Sequence, residues 1–191
     1  MMDRAACFKV IAAQVGRRDI VVTSYSSAFE WLALDPPGLT YLAVGAMGLD
    51  TSHALGFALA MPDRRIITLQ GDGSLMMNLG SLATLADQAP PNLVHIACRN
   101  TIYEANGGQP IPNGSEIDFP GLARAAGLRA VFSFNNLDSL QRGLADAFAA
   151  PGPVFICVDV TAGAPPVLDY ERLHAPDLIQ RFQAELAATA N

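Results

Sequence analysis

One stretch restricts what this chain can become more than any other. It holds an apolar run, Ile66-Ile67-Thr68-Leu69, an abrupt Gly71-Asp72-Gly73 turn, a long helical pattern, and a second apolar run that leads to Asn100. Short apolar runs bounded by turn residues read as buried strands, and two of them joined through a helix make a βαβ crossover with parallel strands. In an open parallel sheet, ligands bind outside the carboxyl ends of the strands. A carboxylate at one strand exit and a carboxamide at the next therefore face the same edge. Asp72 and Asn100 are hard oxygen ligands that could converge on one Mg²⁺ or Ca²⁺. The glycines flanking Asp72 let backbone approach a ligand closely, and the helix start after Ser74 offers free N–H groups to an anion. The pattern predicts a metal beside a phosphate.

The rest of the chain repeats this alternation. Asp3 caps a helix from Arg4 toward Val15, and Asp19 to Thr23 reads as the first strand. Ser24-Tyr25-Ser26-Ser27 forms its exit loop before a short helix, Ala28 to Leu34; these hydroxyls suit either phosphate oxygens or an ordinary helix cap. Thr40 to Ala43 is a short strand, and Asp50-Thr51-Ser52 opens the next helix. Leu75, Leu79, Leu82 and Leu85 stand at three- and four-residue spacing, which predicts one helix from Leu75 to Gln88. Asn92 to Cys98, Arg129 to Phe134 and Val154 to Val160 read as strands; Asp118 to Ala126, Leu137 to Ala150 and Ala175 to Ala188 read as helices. The expected architecture is α/β, a three-layer α/β/α arrangement around a mostly parallel sheet, with residues 1–191 as a single domain. Between Arg99 and Ser115 lies a long loop rich in Gly, Asn and Pro, and its place directly after Asn100 favours a functional role.

Charge and composition exclude several classes. The net charge of −6 provides no basic footprint for nucleic acid or an anionic membrane. The most apolar stretch, Val44 to Met61, is broken by Asp50, His53 and glycines, so no membrane span is predicted, and the start of the chain lacks a secretory pattern. A cytoplasmic location is expected. Cys7, Cys98 and Cys157 have no paired spacing and read as small buried hydrophobes. Lys9 is the single lysine, on a helix expected at the surface, which argues against a pyridoxal Schiff base. The hydrophobic fraction of 51% against 16% charged residues predicts large internal sheet surfaces or an oligomer interface.

Gly71-Asp72-Gly73, followed after a helix by Asn100 at a strand exit, resembles the cofactor motif of thiamine diphosphate enzymes. Three more segments match in the order the family requires, over roughly residues 20 to 160. The resemblance implies the thiamine diphosphate-binding fold, with thiamine diphosphate and Mg²⁺ as cofactors. By resemblance, Gly45, Ala46 and Met47 cradle the aminopyrimidine ring, with the Met47 side chain wedged beneath the cofactor. Asp72, Asn100 and the carbonyl of Ile102 coordinate Mg²⁺, while Gly71, Gly73 and Ser74, joined by Ser24 from the first strand exit, lie against the diphosphate. Met47-Gly48-Leu49, Pro62-Asp63-Arg64, Gly71 to Leu82 and Gly107-Gly108-Gln109-Pro110 are similar to sulfopyruvate and phosphonopyruvate decarboxylases. The implied function is the diphosphate-binding subunit of a decarboxylase of a small 2-oxo acid.

The chain departs from the pattern at Arg99 and Thr101, where an Asn or Asp and a small Gly are usual. It also offers no candidate for the glutamate that activates the aminopyrimidine. In the family that residue comes from a pyrimidine-binding domain, which implies a partner subunit and a hetero-oligomer with its active site at the interface. Candidate catalytic residues are Tyr103 and Glu104 in the long loop, with Gln109 beside them, and His53 near the start of its helix. His53 reads more readily as a helix-surface or packed histidine, and the loop residues read equally as solvent-exposed. Arg99 could attract a sulfonate or phosphonate, or form an ion pair on the sheet rim. His95, inside a strand, reads as structural. Two alternatives remain: the β chain of a 2-oxo acid oxidoreductase, and a non-catalytic cofactor-binding regulatory subunit.

Overall fold

In the computed structural model of the chain, residues 1–43, 45, 47–162, 170–173 and 175–188 are described. The strands are β1 (Ile20–Thr23), β2 (Leu39–Leu42), β3 (Ile66–Gly71), β4 (Leu93–Arg99), β5 (Ile102–Tyr103), β6 (Gln109–Pro110), β7 (Ala130–Phe134) and β8 (Val154–Asp159). Six of them form one sheet in the order β2-β1-β3-β4-β8-β7, with every pair parallel. β5 and β6 make a separate antiparallel ribbon. All four residues of β1 and the first five of β3 and of β8 are buried, as β-branched runs covered on both faces should be.

The helices are α1 (Arg4–Ala12), α2 (Tyr25–Ala33), α3 (Asp50–Ala60), α4 (Asp72–Met77), α5 (Ser81–Gln88), α6 (Phe119–Ala125), α7 (Leu137–Ala149), α8 (Tyr170–Leu173) and α9 (Leu178–Ala188). One sheet face, with Val21, Ile67, Ile96 and Ile156, packs on Phe8 of α1, Trp31 of α2 and Leu140 of α7. The opposite face, with Ile20, Val22, Ile66 and Phe155, packs on Leu55 of α3, Leu85 of α5, Phe119 of α6 and Phe182 of α9. These are the three layers that the alternation of elements predicts.

The topology sharpens where a ligand can sit. From β1 the chain steps outward to β2, then crosses back over β1 to β3 and continues toward β4. β1 and β3 are therefore neighbours from which the chain departs in opposite directions, and the crevice above such a pair is where open α/β sheets bind ligands. Their register, Thr23 opposite Leu69, places Ser24 and Gly71 at adjoining exits.

Several boundaries differ from the sequence reading for identifiable reasons. Ser24 to Ser27 is no loop: α2 begins at Tyr25, so these residues form its first turn, and Ser24 makes no side-chain cap. The expected helix from Leu75 to Gln88 is two helices, because α4 starts at Asp72 and the chain breaks at Asn78 to Gly80, residues of weak helix propensity. Leu75, Leu82 and Leu85 remain buried across that break. The long loop after β4 is folded: the ribbon β5–β6 and a 3₁₀ turn, Glu104–Asn106, organise it, and the Ile111 amide bonds the Thr101 carbonyl at 2.9 Å. The last helix begins at Leu178, later than expected. Cys7, Cys98 and Cys157 are buried free thiols, and Lys9 is exposed. Among the described residues no helix is long and apolar enough to cross a membrane.

Candidate functional site

Asp72 sits where β3 gives way to α4 and is only 1% exposed. Its Oδ1 accepts the Gly73 amide at 2.9 Å, while Oδ2 accepts the amides of Asn100 at 3.1 Å and Thr101 at 2.7 Å. Burial lifts its pKa to about 6 even though these amides favour the charged form. One carboxylate thus ties the β3 exit to the β4 exit. Thr101 adopts φ of 68°, a left-handed conformation unfavourable for a β-branched residue, so its departure from glycine carries a backbone cost of about 1–2 kcal/mol. The Asn100 Oδ1 accepts the Ile102 amide at 3.1 Å, closing the turn from the other side.

The cleft above this turn is lined by Asp72, Gly71, Gly73 and Ser74, by Asn100 and Ile102, by Ser24 from the β1 exit, by Met47, and by Tyr103 and Glu104. Gly45, at φ 69°, stands two residues before Met47, and Ala46 lies outside the described residues, as does His174. His53 is not brought to the cleft. Its ring packs edge-on against Tyr41 at 5.6 Å, because the face of α3 that carries it turns toward the aromatic cluster of Tyr41, Phe57 and Phe182. Gln109 is exposed on the ribbon. Arg99 makes an ion pair with Asp159 at 3.4 Å and donates to the carbonyls of Gly114 and Ser115, so its charge serves the sheet rim.

Tyr103 lies directly on Gly73. A Cβ placed at Gly73 would stand 2.6 Å from Tyr103 Cδ1, so no other residue type fits without moving the ring. Gly73→Ala is expected to cost about 1–3 kcal/mol by overpacking, and Gly73→Ala with Tyr103→Ala should recover part of it. Chemical denaturation of the two variants checks this. Additive losses would show that the ring is not the obstacle.

Two groups of functional interest have no signature in the sequence. The first is Arg4, which lines the cleft from α1 while pairing with Glu30 of α2 and with Glu104. Arg4 is 4% exposed and its partners 16% and 14%. Glu104 is therefore held in an ionic cluster rather than left as loop decoration. The second is a buried polar chain beneath the cleft. His95 Nε2 lies 3.0 Å from Gln70 Oε1 and 2.9 Å from Thr51 Oγ1, and the Thr51 hydroxyl donates to Gln70 Oε1 at 2.8 Å. Gln70 Nε2 donates to Ser74 Oγ at 3.0 Å, and Ser74 Oγ donates to Asp50 Oδ2 at 2.8 Å. Asp50 looked like a helix-opening cap; in the fold it is wholly buried.

His95 is stacked on Phe155, and burial lowers its pKa to about 4 from an ordinary 6.5. A histidine kept neutral by the fold leaves stability intact above pH 6.5 and removes it as pH falls from 6.5 toward 4, since only the unfolded chain takes up the proton there. Lowering pH from 7 to 5 should cost about 2 kcal/mol through this residue. Denaturant unfolding of wild type and His95→Gln across that range checks it, with the slope expected to flatten in the variant.

Residues 22–158 match the family described as thiamine pyrophosphate enzyme, C-terminal TPP binding domain. The chain belongs to this family. Some of its relatives are named for decarboxylation. It is 36% identical to a phosphonopyruvate decarboxylase of Streptomyces viridochromogenes over 95% of this chain and 45% of that protein. It is 37% identical to the sulfopyruvate decarboxylase subunit beta of Methanothermobacter thermautotrophicus over 80% of this chain and 77% of the subunit. Among solved structures, the thiamine diphosphate-dependent 4-hydroxybenzoylformate decarboxylase of Rhodococcus jostii superposes with a TM-score of 0.66 at 26% identity, covering 83% of this chain and 32% of that one. The chain thus spans less than half the length of the phosphonopyruvate decarboxylase it matches.

Proposed function

We propose that this chain binds thiamine diphosphate and Mg²⁺ in the cleft at the β1, β3 and β4 exits and serves a decarboxylase of a small 2-oxo acid, sulfopyruvate- or phosphonopyruvate-like. The observation that carries the reading is the convergence of Asp72, Asn100, Ile102 and Met47 on one cleft in a chain of this family. Among the described residues no three His, Cys, Asp or Glu side chains gather as a metal cluster. A cation here rests instead on the Asp72 carboxylate, the Asn100 carboxamide oxygen and the Ile102 carbonyl. That all-oxygen set suits Mg²⁺, which takes few protein ligands and completes its shell with phosphate oxygens and water. Gly71, Gly73 and Ser74, with Ser24 alongside, receive the diphosphate; Gly45, Ala46 and Met47 hold the pyrimidine ring.

Once bound, the cofactor supplies the carbanion-stabilising centre that lets a 2-oxo acid release CO₂. The chain's own residues orient and enclose it. Asp72 fixes the β4 exit to α4, and Tyr103 covers Gly73. Glu104 and Glu30 are both held by Arg4, so neither is a free carboxylate for cofactor activation. That supports a partner chain, carrying a pyrimidine-binding domain, as the source of the activating glutamate. Similarity to a protein named as a beta subunit supports the same two-chain arrangement.

The test is to titrate the purified chain with thiamine diphosphate and Mg²⁺, alone and mixed with candidate pyrimidine-binding chains, reading cofactor retention as thiochrome fluorescence and turnover as CO₂ release. Metal-dependent retention with turnover only in the mixture is expected. Turnover by this chain alone would overturn the partner reading, and absence of retention in every mixture would overturn the cofactor reading.

A further inference from the structure

The hydrogen-bonding capacity of Ser74 carries an inference of its own. A hydroxyl has one donor and two acceptor positions. Ser74 Oγ accepts the Gly48 amide at 2.9 Å and Gln70 Nε2 at 3.0 Å, and both of those groups can only donate. Its hydrogen is thereby left for Asp50 Oδ2, 2.8 Å away. Burial raises the Asp50 pKa, and the Ser24 and Ser74 hydroxyls nearby favour its charged form. The links from Thr51 through Gln70 and Ser74 thus donate in one direction and end on Asp50. Such chains polarise one another in a buried, low-dielectric setting. Asp50 and Gln70 are 0% exposed, Thr51 1% and Ser74 5%.

We propose that Asp50 is the positioning residue of the cleft: as terminal acceptor it turns the Ser74 hydroxyl inward and, through Ser74, anchors the Gly48 segment to α4. Three consequences follow from this arrangement. The Gly48 amide, next to Met47, is held by a side chain of α4 rather than by its own loop. The Ser74 side chain contributes nothing to a bound diphosphate, which meets main chain at this position. The start of α3 and the β3 exit are locked together. Asp50 Oδ1 has no hydrogen-bond partner, so this carboxyl makes fewer bonds than it could. A buried acid with an idle oxygen is costly as a stabilising element, and it makes sense as a fixed acceptor for a hydroxyl that would otherwise turn toward the ligand.

The relevance to thiamine diphosphate rests on the function proposed above; the anchoring of Gly48 does not. The test uses the whole protein with Asp50→Ala, Asp50→Asn, Ser74→Ala and the Asp50→Ala/Ser74→Ala double variant. Two readings are taken: hydrogen exchange of the Gly48 amide without ligand, and the dissociation constant for thiamine diphosphate at saturating Mg²⁺. Gly48 exchange is expected to quicken at least about tenfold in Asp50→Ala and Ser74→Ala. Both single variants should weaken cofactor binding about tenfold or more, with the double variant no weaker than the worse single one, because Ser74 acts through Asp50. Asp50→Asn, which keeps an acceptor oxygen, should recover much of both effects and serves where the alanine variant does not fold. Wild-type Gly48 exchange in Asp50→Asn and Ser74→Ala together, or additive losses in binding, would overturn the proposal. A wild type that binds no cofactor would overturn the functional reading, while the Gly48 exchange would still decide the anchoring.

Discussion

Asp72→Ala is expected to lose Mg²⁺-dependent binding of thiamine diphosphate by at least about 100-fold, or about 2.7 kcal/mol. Two losses combine in that figure. The substitution removes the one carboxylate in the proposed metal set, and it frees the amides of Asn100 and Thr101, which Oδ2 now holds at 3.1 Å and 2.7 Å. Hydrogen bonds to a charged acceptor contribute about 1.5–3 kcal/mol each when buried. The left-handed Thr101 then has less to hold it in an unfavourable conformation, so the turn should relax and carry Asn100 with it. Asp72→Asn separates the two losses, because a carboxamide oxygen can keep one amide but is a weaker metal ligand. It should retain more ligand-free stability than Asp72→Ala and still bind cofactor poorly. Calorimetric titration of both variants, with thermal unfolding of the ligand-free proteins, is the measurement. Affinity within threefold of wild type in Asp72→Ala would remove Asp72 from the metal set.

How much of this was legible in the chain itself depends on contact distance. The β3–α4 junction and Asn100 were readable because a strand, a Gly-Asp-Gly turn and a helix follow one another locally, and because parallel topology sends the next strand to the same edge. The two-faced burial of β1, β3 and β8 was readable from their unbroken apolar runs. What the sequence hid are the long-range polar contacts. Arg4 meets Glu104 across most of the chain, and no spacing rule links them. Asp50 at the head of α3 reads as any acidic residue in a first turn, and only the approach of Ser74 makes it the end of a buried chain. His53 bears out its packed reading. Its position one turn after the glycine-rich segment suggested the cleft, while the helix phase turns it to Tyr41. The single helix expected from Leu75 failed because leucine spacing continues across Asn78 and Gly80, where backbone preference ends α4.

Arg4 is the clearest case in which a contact invisible to the sequence should dominate stability. Arg4→Met keeps most of the aliphatic bulk but leaves Glu30 and Glu104, at 16% and 14% exposure, without their shared cation. Burial alone would lower the guanidinium pKa, yet its bonds to Glu104 and Glu30 outweigh that and raise it, a sign that the cluster favours the charged form. Breaking a buried pair by removing one partner typically costs about 3–5 kcal/mol, because the remaining charge is uncompensated. Here the wild-type cluster already has one more carboxylate than cation, and Glu104 Oε1 has no hydrogen-bond partner, so removal of Arg4 leaves two neighbouring acids to repel. The expected loss for Arg4→Met is about 3 kcal/mol near neutral pH, shrinking as acid protonates the pair. Arg4→Met with Glu30→Gln and Glu104→Gln should recover most of it, since neutral polar groups replace the whole ionic set. Urea unfolding of the single and triple variants at pH 7 and pH 5 distinguishes the cases. A single variant as stable as wild type would mean that water, rather than Arg4, solvates these acids. If the triple variant is stable but its Tyr103 ring no longer protects Gly73, then the cluster also holds the cover of the cleft in place, linking the first helix of the chain to the mouth of its site.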